Sequence, residues 1–267
     1  MSGDLPEPAV PQDVYTEDYF RHDCMGATAW EASGGVGIDP LYVGYAQQAG
    51  VTDGTVLVDL GCGRGEMLVA AVQAGASRAV GVEYADAAVE LAKRTLATNG
   101  VEDRAELVHG DARSVPVGDG EADVVTMLDV VEHLTPQELD RALREALRIL
   151  RPGGRILIHT MPNRSIYEIT YRLQRLARPS RVRTWPKDPR KPLEVAMHVN
   201  EMTVTSLRRA LSRAGFPAPQ VTLGDWMYTD FVPDEAARRL YHRLAARRLT
   251  ARLGKGDLWA RAEKPAA

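Results

Sequence analysis

Short apolar runs alternate with amphipathic stretches between residues 51 and 160. Val56–Asp59, Ala79–Glu83, Ala105–His109, Asp123–Leu128 and Arg155–Thr160 have the length and composition of strands. Between them, Met67–Gln73, Ala87–Thr98 and Gln137–Leu150 repeat apolar residues at helical spacing. Parallel strands need long crossovers, usually helices. The alternation therefore predicts a parallel α/β sheet with helices on both faces. Pro152-Gly153-Gly154 predicts a helix stop before the fifth strand.

The alternation breaks after residue 160. Residues 161–199 are too long for an ordinary loop. Ile166, Ile169, Leu173 and Leu176 recur at helical spacing, with Tyr167 and Tyr171 alongside. The rest is basic and punctuated by Pro179, Pro186, Pro189 and Pro192. This predicts a cap inserted after the fifth strand, over the mouth of a site. Glu201–Ala214 is then a predicted helix, stopped by Gly215-Phe216-Pro217. Gln220–Gly224 and Leu258–Glu263 are predicted strands, with a basic helix, Glu235–Arg252, between them. The expected organisation is an N-terminal extension or lid (1–50), a nucleotide-binding core (51–160), a basic cap (161–199) and the C-terminal part of the core (200–267).

One turn carries most of the chemistry. Asp59-Leu60-Gly61-Cys62-Gly63-Arg64-Gly65-Glu66 follows the first strand and opens a helix. Such a turn lets a ligand lie against bare backbone. A dinucleotide fingerprint spaces its glycines G-x-G-x-x-G. Here the spacing is G-x-G-x-G, with carboxylates on both sides. Two acids repel a pyrophosphate and suit a ligand bearing a sulfonium or an ammonium. A nicotinamide dehydrogenase is disfavoured on that ground.

This turn resembles the glycine-rich first motif of the class I S-adenosylmethionine-dependent methyltransferases. Further segments resemble that family in the same order. Ala79-Val80-Gly81-Val82-Glu83 is similar to the second strand with its terminal acid. His109-Gly110-Asp111-Ala112 is similar to the acidic loop after the third strand. Ala122 to Leu128, then Asp129-Val130-Val131-Glu132-His133, is similar to the fourth strand and its active-site loop. Leu150-Arg151-Pro152-Gly153-Gly154-Arg155 is similar to the turn into the fifth. The resemblance covers about residues 50–225. It implies a Rossmann-like sheet of seven strands, mostly parallel with an antiparallel edge, and S-adenosyl-L-methionine as cofactor. A looser resemblance, to bacterial methyltransferases acting on secondary metabolites, glycans or lipid-linked acceptors, implies a small-molecule acceptor. Residues 1–13, acidic and proline-rich, lack the features of a signal peptide.

Charge divides the chain. The net charge is −3, yet residues 164–192 hold nine Arg or Lys against Glu168 and Asp188. Residues 238–255 hold seven and no acid. These segments suggest an anionic partner, an anionic substrate or a peripheral membrane contact; a solvated amphipathic face is the bland reading. The acidic overall balance argues against a dedicated nucleic-acid binder. Cys24 and Cys62 are the only cysteines; they form no disulfide framework and fit a cytoplasmic protein. Cys62 reads as a small filler of the turn.

Glu83 stands where a nucleotide fold places an acid for both ribose hydroxyls. Asp59 is expected to orient the turn and the methionine ammonium, and Gly61, Gly63 and Gly65 to cradle the cofactor. The resemblance implies that Asp111 accepts from the adenine amino group. Tyr84, Ala112 and Leu128 flank the cofactor by position, and Tyr19, with Tyr15 and His22, is a candidate to close over it. His133 is a candidate general base, because an imidazole titrates near neutrality; capping the next helix is its alternative role. Some O-methyltransferases hold a divalent metal here with two glutamates and a histidine. Asp129 in place of the first glutamate argues against that set, so no metal is expected. His198-Val199-Asn200-Glu201 reads as a helix start with Asn200 as N-cap, or as acceptor-pocket chemistry through His198 and Glu201. His159 reads as a packed residue. Oxygen is the expected acceptor atom, with nitrogen or carbon as alternatives. An RNA methyltransferase using the basic segments and a cofactor-sensing partner subunit are the rival readings.

Overall fold

The computed structural model describes residues 5–34, 37–177, 185–227, 229, 231–232 and 234–266. Arg178, Pro179, Arg181 and Arg183 of the basic cap expected above lie outside the described residues, as do Gly35 and Tyr228.

Seven strands form one sheet: β1 (Val56–Leu60), β2 (Arg78–Glu83), β3 (Ala105–His109), β4 (Ala122–Leu128), β5 (Leu150–Thr160), β6 (Gln220–Leu223) and β7 (Leu258–Glu263). Their order is β3-β2-β1-β4-β5-β7-β6. The pairs among β1 to β5 are parallel, and β7 runs antiparallel to both β5 and β6. The order reverses direction between β1 and β4, and such a switch opens a crevice at the carboxyl ends of the strands.

Leu57, Val58 and Leu60 in β1 and Val124, Val125 and Met127 in β4 are all buried, as strands covered on both faces must be. On one face, α3 (Pro40–Ala49) packs on α4 (Glu66–Gln73), and α5 (Asp86–Asn99) follows. On the other, α6 (Pro136–Ile149) packs on α9 (Val204–Ala214). Thr135 caps α6, and Glu138 closes the capping box.

Four local expectations are corrected. β5 begins at Leu150, because Pro152-Gly153-Gly154 bulges within the strand: Ala122 faces Leu150 and Val124 faces Arg155. The helix expected from Glu201 begins at Val204, where Thr203 accepts from the Ser206 amide; Asn200 is not its cap. The basic helix α10 spans Glu235–Ala245 rather than reaching Arg252. Finally, α10 leaves the core and joins the cap. Ile166, Tyr167, Tyr171, Trp185, Val232, Ala237 and Tyr241 form one separate apolar cluster. The cap helix enters as a π-type turn (Ile166–Tyr171) and continues as α7 (Arg172–Ala177), and α8 (Pro192–Met197) leads back to the sheet.

The N-terminal extension folds down on the glycine turn as α1 (Glu17–His22), α2 (Ala27–Ser33) and α3. Arg64 is its anchor. Its guanidinium donates to the carbonyls of Phe20 and Met25 and pairs with Glu66 at 2.6 Å, with both side chains buried. Trp30 covers it at 5.5 Å and donates to Thr95 Oγ1. Breaking a buried pair strands one charge and costs about 3–5 kcal/mol. Arg64→Ala is expected to lose about that much stability in urea unfolding, and to expose the segment before residue 34 to limited proteolysis. The Arg64→Met/Glu66→Leu double variant is expected to recover most of the stability.

Candidate active site

The sheet's carboxyl edge gathers the glycine turn, the end of β2 and the loop after β4. Gly61, Gly63 and Gly65 have φ of 78°, 51° and 80°, values that L side chains rarely adopt. A Cβ at Gly61 would strike Val130 at 2.5 Å, whereas one at Gly63 meets only Phe20 at 3.9 Å. Gly61 is therefore fixed by packing against the β4 loop. Gly63 bares its backbone beneath the N-terminal lid. Cys62 is buried and its thiol is raised by burial; it fills the turn against Gly81.

Glu83 is 5% exposed, at the end of β2 beside His109 of β3. Its oxygens accept from the amides of Gly63 (3.0 Å), Tyr84 (2.9 Å) and Ala85 (2.9 Å). Burial raises its carboxyl, and these three amides oppose the rise. The side chain thus joins the glycine turn to the end of β2 while remaining an acceptor. Asp59 is 2% exposed, accepts from Thr126 Oγ1 at 2.6 Å, and is pushed up to about 7 by burial. Left-handed glycines and two buried acids fit an adenosyl ligand with ribose hydroxyls and a positive tail.

Tyr15, Tyr19, Phe20 and Tyr84 form an aromatic layer above this cradle, at centroid distances of 5.1–6.3 Å. Tyr84 donates to the Val10 carbonyl at 3.0 Å. Burial raises the Tyr19 hydroxyl, and Asp129 and Glu132 add to the rise; Tyr19 therefore faces the β4 loop. His22 lies outside the layer, exposed and paired with Asp18. Ala112 and Leu128 are half-buried against the two sheet cores.

Both Asp111 oxygens accept from the Arg113 guanidinium and Oδ1 also accepts from the Arg113 amide, at 2.7–3.0 Å. Arg113 in turn holds Glu138, which accepts from the Ala9 amide; Asp111 therefore helps fix the extension.

The β4 loop holds two groups of charges. In the first, His159 bridges Asp129 (2.8 Å, off the line of a hydrogen bond) and Asp257 (3.3 Å). Asp129 itself has a left-handed φ of 55°, a strained geometry for a non-glycine residue. His159 is thus an ionic bridge, and Asp257, just before β7, had no motif to reveal it. In the second group, Glu132, His133 and His198 offer ligand atoms all within 4.8 Å of one another. His133 and His198 meet edge to face at 5.0 Å. Burial and the neighbouring His198 lower the His133 ring to about 3. Its burial makes it a weaker proton acceptor than a free imidazole. Burial lowers His198, but Glu201 and Glu132 outweigh it and raise the ring. Glu201 lies 3.6 Å from His198 and 3.2 Å from Arg190.

A cavity of about 500 Å³ opens beside this cluster and under the cap. Arg164, Tyr167, Tyr171, Arg190, His198 and Glu201 are among its lining residues.

The His159 bridge predicts a pH dependence. Burial alone lowers the ring, but the two carboxylates outweigh it and raise it to about 10. Such a group contributes its full stability below an ordinary imidazole value of about 6.5 and loses it as pH rises through about 10. The Tm is expected to fall between pH 7 and 10, and His159→Gln to flatten that slope. An unchanged slope would remove the bridge as its cause.

Residues 58–158 match the family model described as "Methyltransferase domain". A probable S-adenosylmethionine-dependent methyltransferase of Mycolicibacterium smegmatis is 31% identical over 182 residues, 67% of this chain and 58% of that protein. The 27-O-demethylrifamycin SV methyltransferase of Amycolatopsis mediterranei is 32% identical over 105 residues, 39% of this chain and 38% of that protein. The matches thus span about two fifths to three fifths of these relatives. A geranyl diphosphate methyltransferase solved with S-adenosylmethionine superposes with a TM-score of 0.59 at 18% identity, over 85% of this chain and 86% of that one; it shares the fold. The glycine turn, the buried acid ending β2 and the sheet order agree with these matches: the chain carries a methyltransferase domain of the class I S-adenosylmethionine-dependent family.

Proposed function

We propose that this protein transfers a methyl group from S-adenosylmethionine to an oxygen of a small-molecule acceptor held in the cavity under the cap. The observation that carries this reading is the convergence of two halves. The cofactor cradle lies on one side of the β1/β4 crevice, and the Glu132–His133–His198 cluster lies on the other, with His198 also lining the cavity.

When bound, the cofactor supplies an electrophilic methyl on a sulfonium. Glu83 accepts the ribose hydroxyls, Gly61 and Gly63 bring bare backbone to the ligand, and Asp59 counters the positive tail. The aromatic lid of Tyr15, Tyr19 and Tyr84 keeps water from the reacting groups. Tyr167 and Tyr171 give the acceptor an apolar wall, and Arg164 and Arg190 give it polar contacts. Oxygen is favoured because a hydroxyl must lose its proton, and the Glu132–His133–His198 cluster is built from groups that manage protons and positive charge. One relative's name also specifies an oxygen position. The outer face of the cap exposes Ile169, Leu173 and Leu176 beside Arg172 and Arg175, a surface that suits an amphiphilic or lipid-linked acceptor.

Calorimetry with S-adenosylmethionine, S-adenosylhomocysteine and NAD tests the cofactor. Binding of the two adenosyl ligands alone is expected; binding of NAD alone would overturn the reading. A hydrogen bond to a charged group is worth about 1.5–3 kcal/mol, so Glu83→Ala is expected to weaken both adenosyl ligands roughly tenfold to hundredfold. Unchanged affinity would remove Glu83 from the ribose site. An acceptor screen for a mass gain of one methyl then identifies the product. A methylated carbon or nitrogen would displace oxygen from the proposal.

A further inference from the structure

The cap has an inner and an outer side. Ile166, Tyr167, Thr170, Tyr171 and Gln174 are buried. Gln174 Nε2 donates to the Ala237 carbonyl at 3.1 Å, and Thr170 Oγ1 to the Leu253 carbonyl at 2.7 Å. These bonds hold one side of the π-type turn and α7 against α10 and the segment after it. The residues between them face outward. Ile169, Leu173 and Leu176 follow a spacing of i, i+4 and i+7, and Leu173 and Leu176 are 58% and 77% exposed. Leu249, in the turn after α10, is 92% exposed. Among the described residues, every exposed large apolar side chain except Val43 and Trp226 lies on the cap helices or the turns beside them.

Charge says what covers this side. Segments 164–177, 185–199 and 235–255 carry thirteen Arg or Lys against four acids, in a chain of net charge −3. All four acids are engaged within the cap: Glu168 with Arg164, Asp188 with Arg190, Glu235 with Arg239, and Glu194 with the Lys191 amide. Arg172 stands exposed beside Leu173, and exposed Arg247 and Arg248 precede Leu249. The covering surface is therefore anionic and has an apolar layer.

Residue types separate the possible occupants. Protein interfaces are anchored by Trp, Tyr and Arg, and Leu and Val are under-represented among their hot spots. The cap keeps Tyr167, Tyr171, Trp185 and Tyr241 in its own cluster and leaves aliphatic side chains outside. RNA would match the arginines but offer the leucines nothing. A bilayer with anionic lipid matches both. Its acyl boundary takes up the aliphatic groups, its phosphates meet the guanidinium groups, and the arginine stems lie along the boundary. No helix among the described residues is long and apolar enough to cross a membrane, so the contact is with the surface.

We propose that the outer side of the cap docks on an anionic lipid surface. The exposed stripe adjoins the cavity, because Arg172 and the exposed Val199 also line it. A docked chain takes an amphiphilic acceptor from the lipid, headgroup first, into that cavity. This delivery rests on the methyl-transfer reading; docking itself does not.

The test is flotation of the full chain with vesicles of phosphatidylcholine alone and of phosphatidylcholine and phosphatidylglycerol in equal parts. Binding is expected with the anionic vesicles only, and added salt is expected to weaken it. The Leu173→Asp/Leu176→Asp and Arg247→Glu/Arg248→Glu variants are each expected to bind at least about tenfold more weakly. Val43→Asp, exposed but off the cap, is expected to bind as the wild type does. Circular dichroism checks that each variant folds. No binding to anionic vesicles, equal binding to both kinds, or equal binding by all variants would overturn the proposal. So would a dimer in light scattering that Leu173→Asp/Leu176→Asp breaks, since a second copy would then cover the stripe. Tighter binding to single-stranded RNA than to the vesicles, kept in the leucine variant, would overturn it as well. Calorimetry with S-adenosylhomocysteine on the same preparations separates the two readings. Cofactor binding without vesicle binding sinks only the docking. Vesicle binding without cofactor binding sinks the methyl-transfer reading and leaves the docking in place.

Discussion

The hydrogen bond from Thr126 Oγ1 to Asp59 Oδ1 ties β4 to β1 where the strand order reverses. The chain wraps away from that line in both directions, so the loops after β1 and β4 diverge and leave a crevice between them. The site depends on that divergence. The glycine turn and Glu83 come from one side, and Asp129, Glu132 and His133 from the other. Burial of Asp59 raises its carboxyl toward neutrality. A cationic ligand in the crevice would favour its charged form, so cofactor binding and the state of Asp59 are linked.

Arg64 extends this centre outward. A residue of the glycine turn itself holds the carbonyls of Phe20 and Met25, so the turn and the N-terminal extension are one unit. A buried pair such as Arg64–Glu66 gives little net stability over an apolar replacement. What it contributes here is position, because planar guanidinium donors fix the angle at which α1 and α2 meet the turn. The same economy occurs with Arg113, which joins Asp111, Glu138 and, through Glu138, the chain at Ala9.

The β4 loop keeps its two histidine groups apart by charge. His159 sits between two carboxylates and is raised, whereas His133 sits against a second imidazole and is lowered. Two carboxylates favour the charged form of His159 against its burial, and burial favours the neutral form of His133. The left-handed backbone at Asp129 turns its carboxylate to His159, and Glu132 lies beside the two imidazoles of His133 and His198.

The sequence by itself determined the sheet, its crossovers and the glycine turn. Strand-length apolar runs, helical periodicity and a glycine turn are local signals, and each element's own residues carry them. Glu83 was legible for the same reason: it ends a strand at a fixed distance from that turn. Errors began where neighbours in space outweigh neighbours in sequence. The bulge in β5 follows from pairing with β4, and the helix expected at Glu201 waits until Thr203 because Glu201 is drawn to Arg190 and His198. Arg113, two residues from Asp111, ties that acid to Glu138, a link that no local pattern announced. Only the tertiary structure decided that His198 joins Glu132 and His133 and that Asp257 reaches His159. These partners lie tens of residues apart in the chain, and their meeting is fixed by how the cap returns to the sheet and by β7 adding antiparallel to β5.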